Sequence, residues 1–450
     1  MEYQKHCLKL FPVRGERRKP WNTNMQIRIS ERKDTLMKKI CSLLLALCLL
    51  CALPALGEIS PRSAEDYNPP LKDLAAGAGF RIGICLSPQQ LADQAYLSLL
   101  SSQFNSTTCT NETKAYSLLD QRASQRSEDG MPRMNYTLAD QMVSWARDHG
   151  VGVRGHVLTW DAYMTEWFFH EDYMESRPVA SREVLLARLE SYITQVVTHF
   201  EMEFPGVIYC WDVVNEAMGD SAADTLAGDP ALLRTTRNGQ PNAFYRYIGE
   251  DYVEYSFLYA RNAVEALGAD IHLFYNDYNM LYPAKRNAAK HLVEKINSFA
   301  LDESGRPRKL IDGIGMQGYM GGYGQQAGCL SEDLISNTKA SIRAFADLGM
   351  EVQITEMALR NYDEARDADH ARFYGRMFAM LRDINRELGR DVLTGITIWG
   401  VNDVTPNAWN EYTWKLNSTL GGILTEKGEI KTSFDAMYDA LSGADAASGT

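Results

Sequence analysis

The sequence predicts a single (β/α)8 barrel, an α/β fold of eight parallel strands alternating with helices, and three observations carry that prediction. Short apolar, β-rich runs recur eight times; helical periodicities lie between them; and no GxGxxG or GxxxxGK[ST] loop follows an early strand, as an open doubly wound sheet would usually show. The runs are Phe80–Leu86, Gln103–Thr107, Gly152–Leu158, Ile208–Val213, His272–Tyr275, Gly313–Gln317, Glu351–Thr355 and Gly395–Trp399. Each is too short for a helix and rich in residues that suit a pleated, buried surface.

The helices between them announce themselves by spacing. In Ser181–Phe200, Leu185, Leu189, Tyr192, Ile193, Val196 and Phe200 recur at i, i+3 and i+4, and Ser181 is placed to cap the start. Asp251–Leu267 and Ala371–Leu388 follow the same pattern. Strand, helix, strand in alternation implies parallel βαβ units, and eight units at this length imply closure.

With 450 residues, 45% hydrophobic, 23% charged, 33 Gly and only 15 Pro, the chain is globular rather than disordered or collagen-like. No linker or repeat interrupts it after Tyr67, so residues 66–443 are expected to form one catalytic domain, with 444–450 as a small-residue tail. Lys38 and Lys39 precede a 14-residue apolar run, Ile40–Leu53, and then Ala55 and Gly57 as a −3/−1 pair. That is the pattern of a signal peptide at 37–57 and of export, because a spanning helix needs about 20 apolar residues. Met37 is the expected translation start, which makes 1–36 an untranslated or extended leader. A secreted, extracellular protein free of the membrane after cleavage is the expectation, with a monomer as its expected state.

Positions 58–450 carry 35 Lys/Arg against 54 Asp/Glu. An acidic body repels phosphate backbones and anionic lipid heads, which argues against nucleic acid and membrane surfaces as partners and leaves a small, neutral or sugar-like ligand. Of the eight cysteines, Cys85, Cys109, Cys210 and Cys329 remain after the leader. They make no CxxC or Cys/His cluster, so no metal site is expected; buried free thiols are expected, and their pairing is open among three possibilities.

In a barrel of this kind functional side chains close the strands, so the polar residues ending each apolar run matter most. The fourth run leads into Trp211-Asp212-Val213-Val214-Asn215-Glu216 and the seventh into Ile354-Thr355-Glu356. Two glutamates at one barrel mouth have the chemistry to cleave a sugar linkage, one as acid and one as nucleophile.

Four blocks sharpen this reading: Val153-Arg154-Gly155-His156-Val157-Leu158-Thr159-Trp160, Trp211 to Ala217, Leu273-Phe274-Tyr275-Asn276-Asp277-Tyr278-Asn279, and Val352-Gln353-Ile354-Thr355-Glu356-Met357. In that order they resemble glycoside hydrolase family 10 endo-β-1,4-xylanases over nearly all of 72–440. The resemblance implies a retaining double displacement on xylan and xylo-oligosaccharides without a cofactor. By it, Glu216 is the acid/base, protonated at rest, and Glu356 the ionised nucleophile. Asn215 is expected to donate to the sugar 2-hydroxyl. The resemblance further places Asn111, Lys114 and His156 on the glycone side, and Tyr278 and Asn279 on the aglycone side. Gln317 and Tyr319 come near the nucleophile. Trp160, Trp399 and Trp409 are expected to stack on sugar faces, with Trp414 as the alternative to Trp409.

The chain also departs from that family. Thr110 and Ala115 stand where a glutamate and a tryptophan are usual, with Glu112 as a candidate replacement for the carboxylate. Asp161 and Tyr319 stand where histidines are usual. A different β-glycan or a decorated xylan is therefore the alternative substrate.

Overall fold

The structure is a computed structural model that describes residues 62–321, 330–361, 363–403 and 420–443. The leader, the signal segment, the tail, Cys329, Trp409 and Trp414 lie outside the described residues. Eight parallel strands form the barrel: β1 Arg81–Leu86, β2 Ser106–Cys109, β3 Gly152–Thr159, β4 Ile208–Asn215, β5 His272–Asp277, β6 Gly313–Met316, β7 Glu351–Leu359 and β8 Leu393–Ile398. Each pairs with the next, and β8 closes on β1 in the register Arg81↔Gly395 to Ile84↔Ile398.

The helices between them bury one face. The long helix Arg182–Glu203 sits Leu185, Leu189, Tyr192, Ile193, Val196 and Phe200 in the core, and the Ser181 hydroxyl accepts from the Val184 N–H, as its spacing predicts. Tyr252–Leu267 and Asp367–Leu388 end at Gly268 and Gly389, each with φ positive, the left-handed stop that glycine adopts without steric cost. Among the described residues no helix is long and apolar enough to cross a membrane.

The second strand begins later than its apolar run suggests. Gln103 ends the preceding helix Gln94–Gln103, buried, where its carbonyl accepts from the Leu71 N–H at 2.9 Å and its amide donates to the Ala64 carbonyl at 2.7 Å. Strands β4, β5 and β7 run past their apolar cores, through Asn215, Asn276–Asp277 and Thr355–Glu356. Polarity there marks the mouth of the barrel rather than the end of pairing, because these groups find partners on neighbouring strands.

The barrel interior is itself partly polar. Arg154 on β3 donates to Gln353 Oε1 at 2.7 Å and pairs with Asp212, while Asp212 also meets His156 Nδ1 at 2.9 Å. Gly315 makes room for it: a Cβ there would lie 2.3 Å from Asn276 Oδ1 and 3.0 Å from Arg154 Nη2. The register shifts between His156 and Thr159 on β3, and between Ile354 and Met357 on β7. Such irregularities turn side chains out of the regular alternation, and here they flank His156 and Glu356. Cys85, Cys109 and Cys210 are buried free thiols, and burial pushes Cys85 and Cys210 up to about 12, which keeps them protonated and unreactive.

Candidate active site

Glu216 follows β4 and Glu356 lies on β7, both buried with less than a tenth of their surface exposed. Glu216 is held in the left-handed region at φ 54°, a conformation unusual for a residue with a Cβ. Its backbone over-determines that pose: its N–H donates to the Asn276 carbonyl at 2.9 Å, and its carbonyl accepts from Arg234 Nε at 3.0 Å and Arg237 Nη2 at 3.1 Å.

A chain of amides links the two carboxylates. Gln317 Nε2 donates to Glu216 Oε1 at 2.9 Å and approaches Asn215 Oδ1 at 3.4 Å; Asn276 Nδ2 donates to Asn215 Oδ1 and to Glu356 Oε1, each at 3.0 Å. Thr355 Oγ1 fixes Asn276 from behind at 2.6 Å. Tyr319, standing where a histidine was the pattern, donates its phenol to Glu356 Oε2 at 2.7 Å. The Asn215 amide nitrogen is buried with no hydrogen-bond partner, a donor left over for something in the cleft.

Asn111, Lys114, His156 and Trp160 come together beside the two glutamates' end of the barrel. Lys114 Nζ donates to Asn111 Oδ1 at 3.0 Å and stands 5.0 Å from the Trp160 ring and 4.3 Å from the Tyr163 ring. His156 lies against Trp160 at 5.8 Å between ring centroids. The aromatic surface then continues outward from Trp160 to Tyr163 and to the exposed Tyr116, at 4.5 and 5.4 Å. Trp399 follows β8 and is largely buried in the core cluster. Glu112, the candidate replacement for the missing carboxylate, turns its Oε2 back on its own loop, accepting from the Asn111 N–H at 3.0 Å and from Thr110 Oγ1 at 3.5 Å.

On the other side Tyr278 accepts from Arg234 Nη2 at 2.8 Å and donates to Asp220, while Asn279 donates to Asp220 at 3.3 Å. Beneath them Asp277 is fully buried, with Lys285 Nζ at 2.7 Å and the Tyr275 phenol at 2.5 Å. Burial raises its pKa against the pull of Lys285.

The charge distribution treats the two carboxyls differently. The resemblance implies a protonated Glu216 and an ionised Glu356; without substrate in the cleft, the surroundings favour the charge on Glu216 and oppose it on Glu356. Burial pushes Glu216 up, yet Arg237, Gln317 and Lys285 together outweigh it and hold the group below its ordinary value. Burial pushes Glu356 up and prevails over His156 and Tyr319, with the charge of Glu216 adding to it. The largest pull on Glu216 is that of Arg237, a residue the sequence reading did not single out. Its Nη1 donates to Glu216 Oε2 at 2.7 Å, while Nε and Nη2 grip Asp161 at 2.9 and 2.8 Å. Arg237 sits on a two-residue hairpin in which Thr236–Arg237 pairs with Gln240–Pro241, turning at Asn238 and Gly239 with φ 52° and 75°. Asn-Gly is the strongest short-range hairpin signal, and it was the available clue.

The sequence pattern of glycosyl hydrolase family 10 matches residues 70–440. Endo-1,4-beta-xylanase B of Butyrivibrio fibrisolvens is 31% identical over 73% of this chain, which spans 47% of that protein. Beta-1,4-xylanase of Dictyoglomus thermophilum is 29% identical over 82% of this chain and 89% of its own length. The chain spans 30% of Endo-1,4-beta-xylanase A of Thermotoga neapolitana, at 32% identity and 84% of this chain. Among solved structures, the CBM22-1 and GH10 modules of a Clostridium thermocellum endo-1,4-beta-D-xylanase complexed with xylohexaose superpose with a TM-score of 0.68 at 26% identity, covering 85% of this chain and 70% of that one. An intracellular xylanase of Thermoanaerobacterium saccharolyticum gives 0.62 at 29% identity, covering 82% and 98%. With the barrel closed, both glutamates at its mouth and the match running from residue 70 to 440, the chain belongs to glycosyl hydrolase family 10.

Proposed function

We propose that this chain is an endo-acting hydrolase of β-1,4-xylosidic linkages in xylan and xylo-oligosaccharides, working by retention with Glu356 as nucleophile and Glu216 as acid/base. The observation that carries the reading is the amide chain Gln317–Asn215–Asn276, which ties two buried glutamates, one just after β4 and one on β7, into one network. A Glu356 oxygen attacks the anomeric carbon, the bond from that carbon to the leaving oxygen breaks, and the Glu216 proton passes to that oxygen. Water then attacks the glycosyl ester, its proton goes to Glu216, and Glu356 is released as a carboxylate. Asn215 meets the 2-hydroxyl of the sugar under attack, where a hydrogen bond strengthens as positive charge grows on the ring. Asn111, Lys114 and His156 hold its other hydroxyls, and the Trp160–Tyr163–Tyr116 surface carries the glycone chain onward. Gln317 holds Glu216, Tyr319 orients Glu356, and Tyr278 faces the aglycone. Trp399 is the further sugar-stacking residue among those described.

The test is reducing-sugar release from purified residues 58–450 on glucuronoxylan and on a mixed-linkage β-glucan in parallel. Short xylo-oligosaccharides, released first as the β-anomer by proton NMR, are the expected result. Glu356→Ala should fall to background, and Glu216→Ala should lose about 10²–10⁴-fold. Full activity in Glu356→Ala overturns the nucleophile assignment. Activity on the glucan alone favours the second reading, a redirected β-glycanase, which Thr110, Ala115 and the Asp161–Arg237 pair motivate. Export as a monomer after cleavage at Gly57 belongs to the same proposal, and a secreted species that does not begin at Glu58 overturns that part.

A further inference from the structure

Both oxygens of Glu216 already accept a fixed hydrogen bond, Oε1 from Gln317 and Oε2 from Arg237. An acid must carry its proton on one of them and aim it at the leaving oxygen. A guanidinium has donors only, so the Oε2 lone pair that meets Arg237 cannot carry the proton while that contact stands. Arg237 has somewhere to go, because Asp161 holds its Nε and Nη2 edge in a two-pronged pair that does not depend on Glu216. It also stands on a two-strand hairpin outside the barrel, an element with few constraints of its own.

We propose that Arg237, anchored by Asp161, is a positioning residue that orients Glu216 and must release its Oε2 for each proton transfer to the leaving group. The proposal rests on the assignment of Glu216 as acid/base and adds a residue pair that governs it. Once the proton has left, the guanidinium returns to the new carboxylate, which favours departure of the sugar chain in the first step. In the second step it restrains the same carboxylate as a base. The groups facing Glu216 are Arg237 from the hairpin, Arg234 from the adjoining loop and Lys285 from helix Pro283–Ser298. Asp161 after β3, Asp277 on β5, Tyr319 after β6 and Glu356 on β7 complete them. Of these only Arg237 bonds a carboxylate oxygen of Glu216 while holding a second carboxylate.

The pair makes opposite predictions for its two halves. The basic limb of kcat/KM reports the ionisation of the acid in the free enzyme. In Arg237→Met the cation is gone, Glu216 keeps its proton to higher pH, and the limb should move up by about one pH unit or more. In Asp161→Asn the cation stays without its counter-charge, and the limb should move down. Arg237→Lys, which keeps the charge and loses the fork, should restore the limb toward wild type. The substrates are aryl xylobiosides: with dinitrophenyl as leaving group, which needs no acid in the first step, Arg237→Met should change kcat/KM little, and with an unactivated phenol kcat/KM should fall at least about tenfold.

Limbs of Arg237→Met and Asp161→Asn that coincide with wild type, or that move the same way, overturn the proposal. So does an equal rate loss with both leaving groups. If Arg237→Met does not fold, Arg237→Lys and Asp161→Asn carry the comparison. A wild-type chain inactive on every xyloside overturns the catalytic reading itself, whereas an active chain with unmoved limbs overturns only the role of Arg237.

Discussion

At the scale of single residues the two glutamates were legible in the sequence and the groups that bear on their charges were less so. Asn215-Glu216 and Thr355-Glu356 close apolar strands, a local signal any reader of periodicity meets. Their ionisation depends on Arg237 and Tyr319, which lie 21 and 37 positions away from the glutamates they touch. Tyr319 offers a clean measurement. Its phenol lowers the Glu356 pKa against a burial effect that raises it. Tyr319→Phe removes the restraint, so the nucleophile takes up its proton at higher pH and the acid limb of kcat/KM should move upward. One hydrogen bond to a charged group is worth about 1.5–3 kcal/mol, so kcat should fall by roughly tenfold or more. An acid limb unchanged in that variant would assign the phenol a structural part only. Glu112 carries a different lesson, since a carboxylate two residues from its expected place spends one oxygen on the nearest N–H, that of Asn111.

Among elements, helices were read almost to their ends because spacing and caps are local. Strand ends were read less well. Run Gln103–Thr107 began inside a helix, and three strands ran on through polar residues whose partners sit on the next strand. The hairpin at Thr236–Pro241 was missed for a different reason: its strands are two residues long and exposed or half-exposed, so no apolar run betrays them. Only the Asn238-Gly239 turn does. Gly239→Val opposes the positive φ of 75°. Because the hairpin adds nothing to the core, the melting temperature should fall by no more than about 2 °C. The pH profile should nevertheless follow that of Arg237→Met. A turn variant that melts far lower yet keeps the wild-type profile would place the hairpin in the scaffold instead of over Glu216.

For the whole molecule, stability and function meet in the polar interior. Arg154 and Asp212 are both essentially without solvent, and Asp212 in turn holds His156. Replacing one partner leaves the other charge buried alone, so Arg154→Met should cost about 3–5 kcal/mol in chemical denaturation, a large part of the stability of an ordinary domain. A loss below about 1 kcal/mol would mean that water reaches Asp212. By itself the sequence determined the alternation of elements, the closed barrel they imply, the family, and the two glutamates, because each rests on short-range periodicity or on contiguous motifs. Tertiary structure alone decided which charges meet: Arg154 with Asp212, Gln317 with Glu216, and Arg237 between Asp161 and Glu216. Those contacts join residues from separate strands and loops, and the energy of a charge depends on what folding brings beside it and how much water it removes.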